Sequence, residues 1–230
     1  MAAPSPPLPG AARALLAGAT GLVGRALLPR LLEDQAYERV VVLARSAARD
    51  LPATPRLDWR VADFDRLPDP FPRVDDVYIA LGTTIRVAGS EAAFRHVDFE
   101  IVVALARAAR AAGARRLGVV SALGSDTRSR VFYNRVKGEM ETAIAGLGYE
   151  AVAIAQPSLL MGDRAALGQP ERRGEVLAAR LLRPVMGLVP KRVRPIAAGT
   201  VARALVHAVR HGPAGVQRLT SARMQAFAAP

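Results

Sequence analysis

The chain has 230 residues, enough for one full domain. It is 51% apolar with only 5% aromatics, so a core of alanine, valine and leucine is expected. Cysteine is absent, which excludes a disulfide scaffold, a thiol nucleophile and a thiolate metal site. A formal charge of +12 comes from thirty arginines and two lysines against 20 acidic residues, yet the arginines are scattered singly, so no specific nucleic-acid partner is expected.

No apolar run approaches a membrane span. Residues 1–10, MAAPSPPLPG, lack the charged start and long apolar stretch of a secretory signal and are read as a disordered tail. A soluble, cytoplasmic protein with no membrane contact is the expectation. Residues 12–16 then read as a first strand. A glycine turn follows, and after it come Leu22, Val23, Leu27, Leu31 and Leu32 at helical spacing. Pro29 lies inside that helix and is expected to bend or break it, at a cost of about 3 kcal/mol. Residues 39–44 form a second, fully buried strand and residues 57–62 a weaker third.

Residues 74–81 read as a fourth strand that runs into Gly82, Thr83 and Thr84. A long helix over 90–112 stops at Gly113, and a fifth strand over 117–120 ends at Ser121. The helix with Tyr133 and Lys137 closes near Gly146, and a sixth strand over 150–155 ends at Gln156 and Pro157. Beyond Leu160, the residues Pro170, Gly174, Pro184, Gly187, Pro190 and Pro195 punctuate short helices. A firmer helix runs from Thr200, its expected N-cap, to His211. Strands spaced by helices, with apolar rather than alternating strand sequences, indicate parallel βαβ units. The expected fold is α/β: a Rossmann-like, doubly wound parallel sheet over 11–158. A small, mostly helical C-terminal section over 159–230 packs on the same domain and closes the substrate side.

Gly18, Gly21 and Gly24 stand at i, i+3 and i+6 between the first strand and the first helix. There they allow a tight turn, close backbone approach to a pyrophosphate and close helix–sheet packing. The stretch from Gly18 through Thr20, Gly21, Leu22 and Val23 to Gly24 is therefore expected to hold a dinucleotide at free N–H groups of the helix start. The second strand ends in Arg45 and Ser46 rather than in an acid, which points to NADP(H) rather than NAD(H): a guanidinium pairs with a 2′-phosphate that an acid would repel. Asp63 reads equally as an adenine contact or as a turn residue beside Asp65. Leu81, Gly82 and Thr83 would pass beside the ribose. His207 and His211 share a helix face but have no third ligand, so they read as helix surface.

Tyr133 and Lys137 are four residues apart and share a helix face. An ammonium beside a phenol favours the phenolate, so Tyr133 can exchange a proton with a substrate oxygen while Lys137 hydrogen-bonds a ribose. Ser121, at the carboxyl end of the fifth strand, is placed to hold the same oxygen. The glycine spacing, Ser121 and Tyr133-Asn-Arg-Val-Lys137 resemble the short-chain dehydrogenase/reductase superfamily. Ser121-Ala-Leu-Gly124, the stretch from Phe132 to Glu139 and Gln156-Pro-Ser-Leu-Leu160 resemble its atypical branch near the NAD-dependent epimerase/dehydratase and Tat-interacting-protein-like oxidoreductases.

The resemblance implies Ser121, Tyr133 and Lys137 as the catalytic trio, Pro157 near the nicotinamide and a substrate-side wall at Pro195 and Ile196. It also brings departures. Typical short-chain reductases hold a relay water with an asparagine on the long helix; residues 90–112 contain none, and His96 and Asp98 read as helix surface. The C-terminal section is short for a sugar-nucleotide pocket. The expected activity is NADP-dependent hydride transfer to or from a small carbonyl or alcohol. The alternative is a dinucleotide-binding regulatory protein without turnover. Residues 104–112 and 136–144 offer helix faces for a homodimer.

Overall fold

An unbroken apolar run such as Val40-Val41-Val42-Leu43 needs cover on both faces of its sheet. The computed structural model, which describes residues 12–47, 54–161, 190 and 192–228, provides it. Seven strands form one sheet: β1 (Ala12–Ala17), β2 (Tyr37–Ala44), β3 (Leu57–Val61), β4 (Asp76–Ile79), β5 (Arg116–Val120), β6 (Ala151–Gln156) and β9 (Gly215–Thr220). Their order is β3-β2-β1-β4-β5-β6-β9 and every pairing is parallel. Two short strands, β7 (Leu160–Met161) and β8 (Ile196–Ala197), pair beside it.

Helices α1 (Leu22–Glu33) and α6 (Ala198–His211) cover one face, packing Leu27, Leu31, Val201 and Leu205 on Leu16, Val40 and Val42. Helices α4 (Val102–Ala111) and α5 (Phe132–Ala145) cover the other, packing Leu105, Ala109, Met140 and Ile144 on Leu15, Val41 and Ile79. Alternate residues of one strand thus enter opposite cores, and each fully buried Leu or Ile contributes about 1.5–3 kcal/mol. Two short helices, α2 (Ile85–Ala88) and α3 (Glu91–Arg95), lead into α4, and α7 (Ser221–Met224) follows β9.

The chain reverses direction across the sheet between β1 and β4, and the carboxyl ends of those two strands open the crevice where ligands sit in such folds. Four local features depart from the expectations. Between α3 and α4 the backbone takes a π-helical turn over His96–Ile101, where an uninterrupted α-helix was expected. Helix α1 runs through Pro29 unbroken, with Pro29 on its exposed face. Helix α6 starts at Ala198 with Ala197 as N-cap, so Thr200 is a buried residue of its first turn.

The fourth is β9. Its sequence, GVQRLT, is mostly exposed at the sheet edge and carries no buried apolar run; it adds one unexpected strand to the sheet from within the smaller, helical C-terminal section. The expected short helices after Leu160 fall mostly on residues 162–189, which, like the tail over 1–10, lie outside the described residues.

Candidate active site

The first turn is built by sterics. Gly18 has φ of +89°, and a Cβ there would lie 2.6 Å from the Ala80 carbonyl carbon. A Cβ on Gly24 would lie 1.9 Å from the Gly18 carbonyl oxygen, so the third glycine is required by how α1 packs on the turn. Gly21 differs. Its Cβ would meet nothing closer than 3.5 Å, so the protein's own packing does not demand a glycine there.

Gly21 is the N-cap of α1, offers no capping side chain and is followed by a first turn without an acid. The helix-start N–H groups therefore have no side-chain cap, and Gly21, Leu22 and Val23 line the crevice. An open space over uncapped N–H groups fits a pyrophosphate. Thr20 sits exposed on the same turn.

Lys137 and its partner lie across the crevice. Only 3% of the Lys137 side chain is exposed, and its Nζ stands 2.7 Å from Oδ1 of Asp98, which is fully buried. The other carboxylate oxygen of Asp98 accepts the Thr83 N–H at 2.8 Å. Asp98 sits in the π-helical turn, and so the one residue anchors the lysine and the loop after β4 together. The reading of Asp98 as helix surface is corrected: the wider turn carries its side chain inward.

His96, two residues earlier, is indeed half exposed. It bonds Glu100 at 2.9 Å and Asp65 at 2.7 Å, and these bonds, Glu100's first, raise its pKa. Tyr133, half-buried, rests against Phe94 with ring centroids 5.1 Å apart.

Ser121 follows β5, and its N–H is held by the Ala155 carbonyl at 2.7 Å. Its hydroxyl donates to Glu141 Oε1 at 2.6 Å. Glu141 is buried, lies one helical turn beyond Lys137 on α5, and also accepts from Gln156 on β6 and Arg218 on β9. Sequence reading missed it, although its i+4 spacing from Lys137 was a usable signal.

One cavity of about 300 Å³ gathers most of the expected residues. Gly21, Leu22, Val23, Leu81, Gly82, Thr83, Ser121, Tyr133, Lys137 and Pro157 all line it, together with Asp98, Arg86, Ser158 and Leu160. Gly18 and Gly24 shape the turn beneath. Others stand apart from the lining. Asp63 uses Oδ1 to accept the Asp65 N–H at 2.9 Å, which is the turn role. Arg45 and Ser46 are exposed; the Ser46 carbonyl accepts the Trp59 indole N–H at 3.0 Å, and Arg45 bonds no other described residue. Pro195 and Ile196 do not reach the lining, though Ile196 pairs in β8 with Leu160, which does.

Residues 18–158 match the family described as NAD(P)H-binding. Protein FMP52, mitochondrial, of Eremothecium gossypii is 35% identical over 154 residues, 66% of this chain and 67% of that protein. Protein HTATIP2 of Rattus norvegicus is 31% identical over 167 residues, 71% of this chain and 67% of the relative. Among solved structures, the Bordetella bronchiseptica enzyme WbmG in complex with NAD superposes with a TM-score of 0.66 at 16% identity, covering 95% of this chain and 76% of that one. UDP-glucose 4-epimerase of Thermotoga maritima with UDP-glucose gives 0.66 at 15% identity, covering 92% and 77%.

Two expectations are corrected here. Solved relatives named with a dinucleotide, WbmG and MoeE5 among them, carry NAD, and the NADP(H) preference read from Arg45 and Ser46 falls with that finding. The physical reason is that a solvated arginine with no anchor, one of thirty, does not by itself make a 2′-phosphate pocket. The cytoplasmic location falls as well, since the fungal FMP52 relatives are named mitochondrial.

Proposed function

Because the chain belongs to the NAD(P)H-binding family, in the epimerase/dehydratase- and HTATIP2-like branch of the short-chain dehydrogenase/reductases, we propose that it is an NAD-dependent oxidoreductase acting on a small alcohol or carbonyl. The observation that carries this reading is the convergence of Ser121, Tyr133 and Lys137 on one cavity that begins at the uncapped start of α1.

The site fits a nicotinamide dinucleotide, which when bound would supply the hydride donor or acceptor. The helix-start N–H groups of Leu22 and Val23 would hold its pyrophosphate, the Gly21 N–H being engaged by the Gly18 carbonyl at 3.0 Å, and Leu81, Gly82 and Thr83 would border its ribose. Lys137 has three N–H donors. Asp98 pairs with it by charge at 2.7 Å, and the ammonium donors are available to a ribose hydroxyl and to the Tyr133 phenol. Asp98 thereby aims the ammonium as well as offsetting its charge. Tyr133 exchanges the proton with the substrate oxygen, and Ser121 fixes that oxygen's position.

Tyr133→Phe separates turnover from binding. NADH affinity, followed by nicotinamide fluorescence, is expected to persist, while conversion of a panel of small aldehydes, ketones and alcohols falls by about 10²- to 10⁴-fold. A wild-type protein that binds NADH yet converts nothing in the panel, or a variant as active as wild type, overturns the enzyme reading.

A further inference from the structure

Helix α6 carries Arg203, Val206, His207, Arg210 and His211 at i, i+3, i+4, i+7 and i+8, a spacing that puts them on one face. With Arg30 of α1 and its C-cap Asp34, that face lines a cleft of about 430 Å³. Phe227, in the 3₁₀ turn Gln225–Phe227, completes the lining. Its carbonyl accepts the Arg203 Nε–H at 2.7 Å, and its ring centroid lies 5.2 Å from that of His207. The cleft shares no lining residue with the cavity at Ser121, Tyr133 and Lys137.

The charges around it do not balance. Arg210 is matched, lying 3.7 Å from Asp34 and 3.5 Å from Asp76. Arg30 and Arg203 have no carboxylate within ion-pair distance among the described residues. Burial first, and then the charge of Arg203, lowers the Arg30 pKa, which Glu33 offsets only in part. Burial, then His207 and Arg210, lowers that of His211 against the pull of Asp34, with Arg116 adding a little. The negative end of α6 favours a cation in its last turn, at Arg210 and His211, but Arg203 lies too near the start to gain from it.

Nor are Arg30 and Arg203 loose surface residues like Arg45. Both are half-buried and anchored. Arg30 Nη1 donates to the Ala26 carbonyl, and Arg203 donates from Nη2 to Thr200 Oγ1 at 3.4 Å as well as to Phe227. A guanidinium has five N–H donors, so most of theirs meet no described acceptor.

We propose that this cleft is a second binding site, for a small soluble phosphomonoester. Two held guanidinium charges without a counter-ion match such a group, whose charge at neutral pH is about −1.5 to −2. Arg30 and Arg203 take the phosphate oxygens in their forks of N–H groups, and His207 and His211 supply further donors. Phe227 offers a ring to the rest of the ligand. A monocarboxylate would leave one arginine unmatched. The site does not depend on the oxidoreductase reading.

The chain's three histidines give the test its reporter and its control, because His96 lies elsewhere, bonded to Glu100 and Asp65. The full chain, with ring-labelled histidine assigned by His207→Gln and His211→Gln, is titrated by NMR with phenyl phosphate and with benzoate. The His207 and His211 signals are expected to move toward the protonated position while His96 stays still, since a bound anion favours the imidazolium. Phenyl phosphate is expected to bind about tenfold tighter than benzoate, and Arg30→Gln and Arg203→Gln each to weaken it about tenfold.

Unmoved His207 and His211, or affinity as in wild type in both arginine variants, overturns the proposal. So does benzoate binding equally well. Movement of all three histidines together is unspecific attraction to a chain of charge +12 and overturns it too. Sedimentation with phosphatidylcholine vesicles containing phosphatidic acid, while phenyl phosphate leaves the histidines unmoved, gives the cleft to a membrane surface instead. If the arginine variants do not fold, the two ligands on wild-type protein still decide.

Discussion

The two ends of the sheet hold similar groups in different settings. At the amino end, the Tyr37 hydroxyl donates to Asp76 at 2.6 Å and lies 2.8 Å from the Tyr78 hydroxyl, with Arg210 3.5 Å from the same carboxylate. Tyr37, Tyr78 and Asp76 have no solvent exposure. Burial is the leading cause that pushes both phenols well above their ordinary value and raises the Asp76 carboxyl. At the carboxyl end, Asp98 and Glu141 are buried just as deeply, but each is bonded to a side chain that lines an open cavity.

Perturbed titration is a common marker of function, yet here its strongest tyrosine signals sit at the closed end. What distinguishes the carboxyl end is a buried carboxylate bonded to a side chain that lines the cavity.

That contrast can be broken experimentally. The largest effect is expected at the ion pair: Lys137→Met or Asp98→Leu each leaves a buried charge alone and should lower unfolding free energy by about 3–5 kcal/mol in urea titrations. The double variant should recover most of that loss, and two additive losses would show that the pair is not coupled. A smaller effect is expected at the closed end. Tyr37→Phe removes a buried donor to Asp76 and should lower stability by about 1–3 kcal/mol without changing NADH affinity, so a loss of affinity would erase the distinction between the ends.

The smallest lies at His96, whose bonds to Glu100 and Asp65 raise its pKa. Because protonated His96 is favoured by the fold, the stability it confers is full below the ordinary histidine value and disappears as pH rises past the raised one. His96→Gln should flatten that pH dependence, by no more than about 0.5 kcal/mol for a half-exposed pair.

Much of the site was legible because its parts obey local rules. The Gly18, Gly21 and Gly24 spacing needs only a strand, a turn and a helix in succession, and the Tyr133–Lys137 pair needs only one helical turn. Asp98 was misread because helical periodicity assumes an α-helix, and a π-helical turn shifts which residues point inward. β9 was invisible for a related reason: an edge strand buries too little to leave an apolar signature. Arg45 was over-read, since a residue type that fills the whole surface says little at any one position.

By itself, then, the sequence determined the parallel α/β architecture, the helix-start cradle and the identity of the three side chains that meet in the cavity. All of these follow from periodicity and from spacing within one turn. Only the tertiary structure decided what stands behind those side chains. Asp98 reaches Lys137 across 39 positions of chain and Arg218 reaches Glu141 across 77, and contacts of that kind depend on how helices seat on a sheet, which no local pattern encodes.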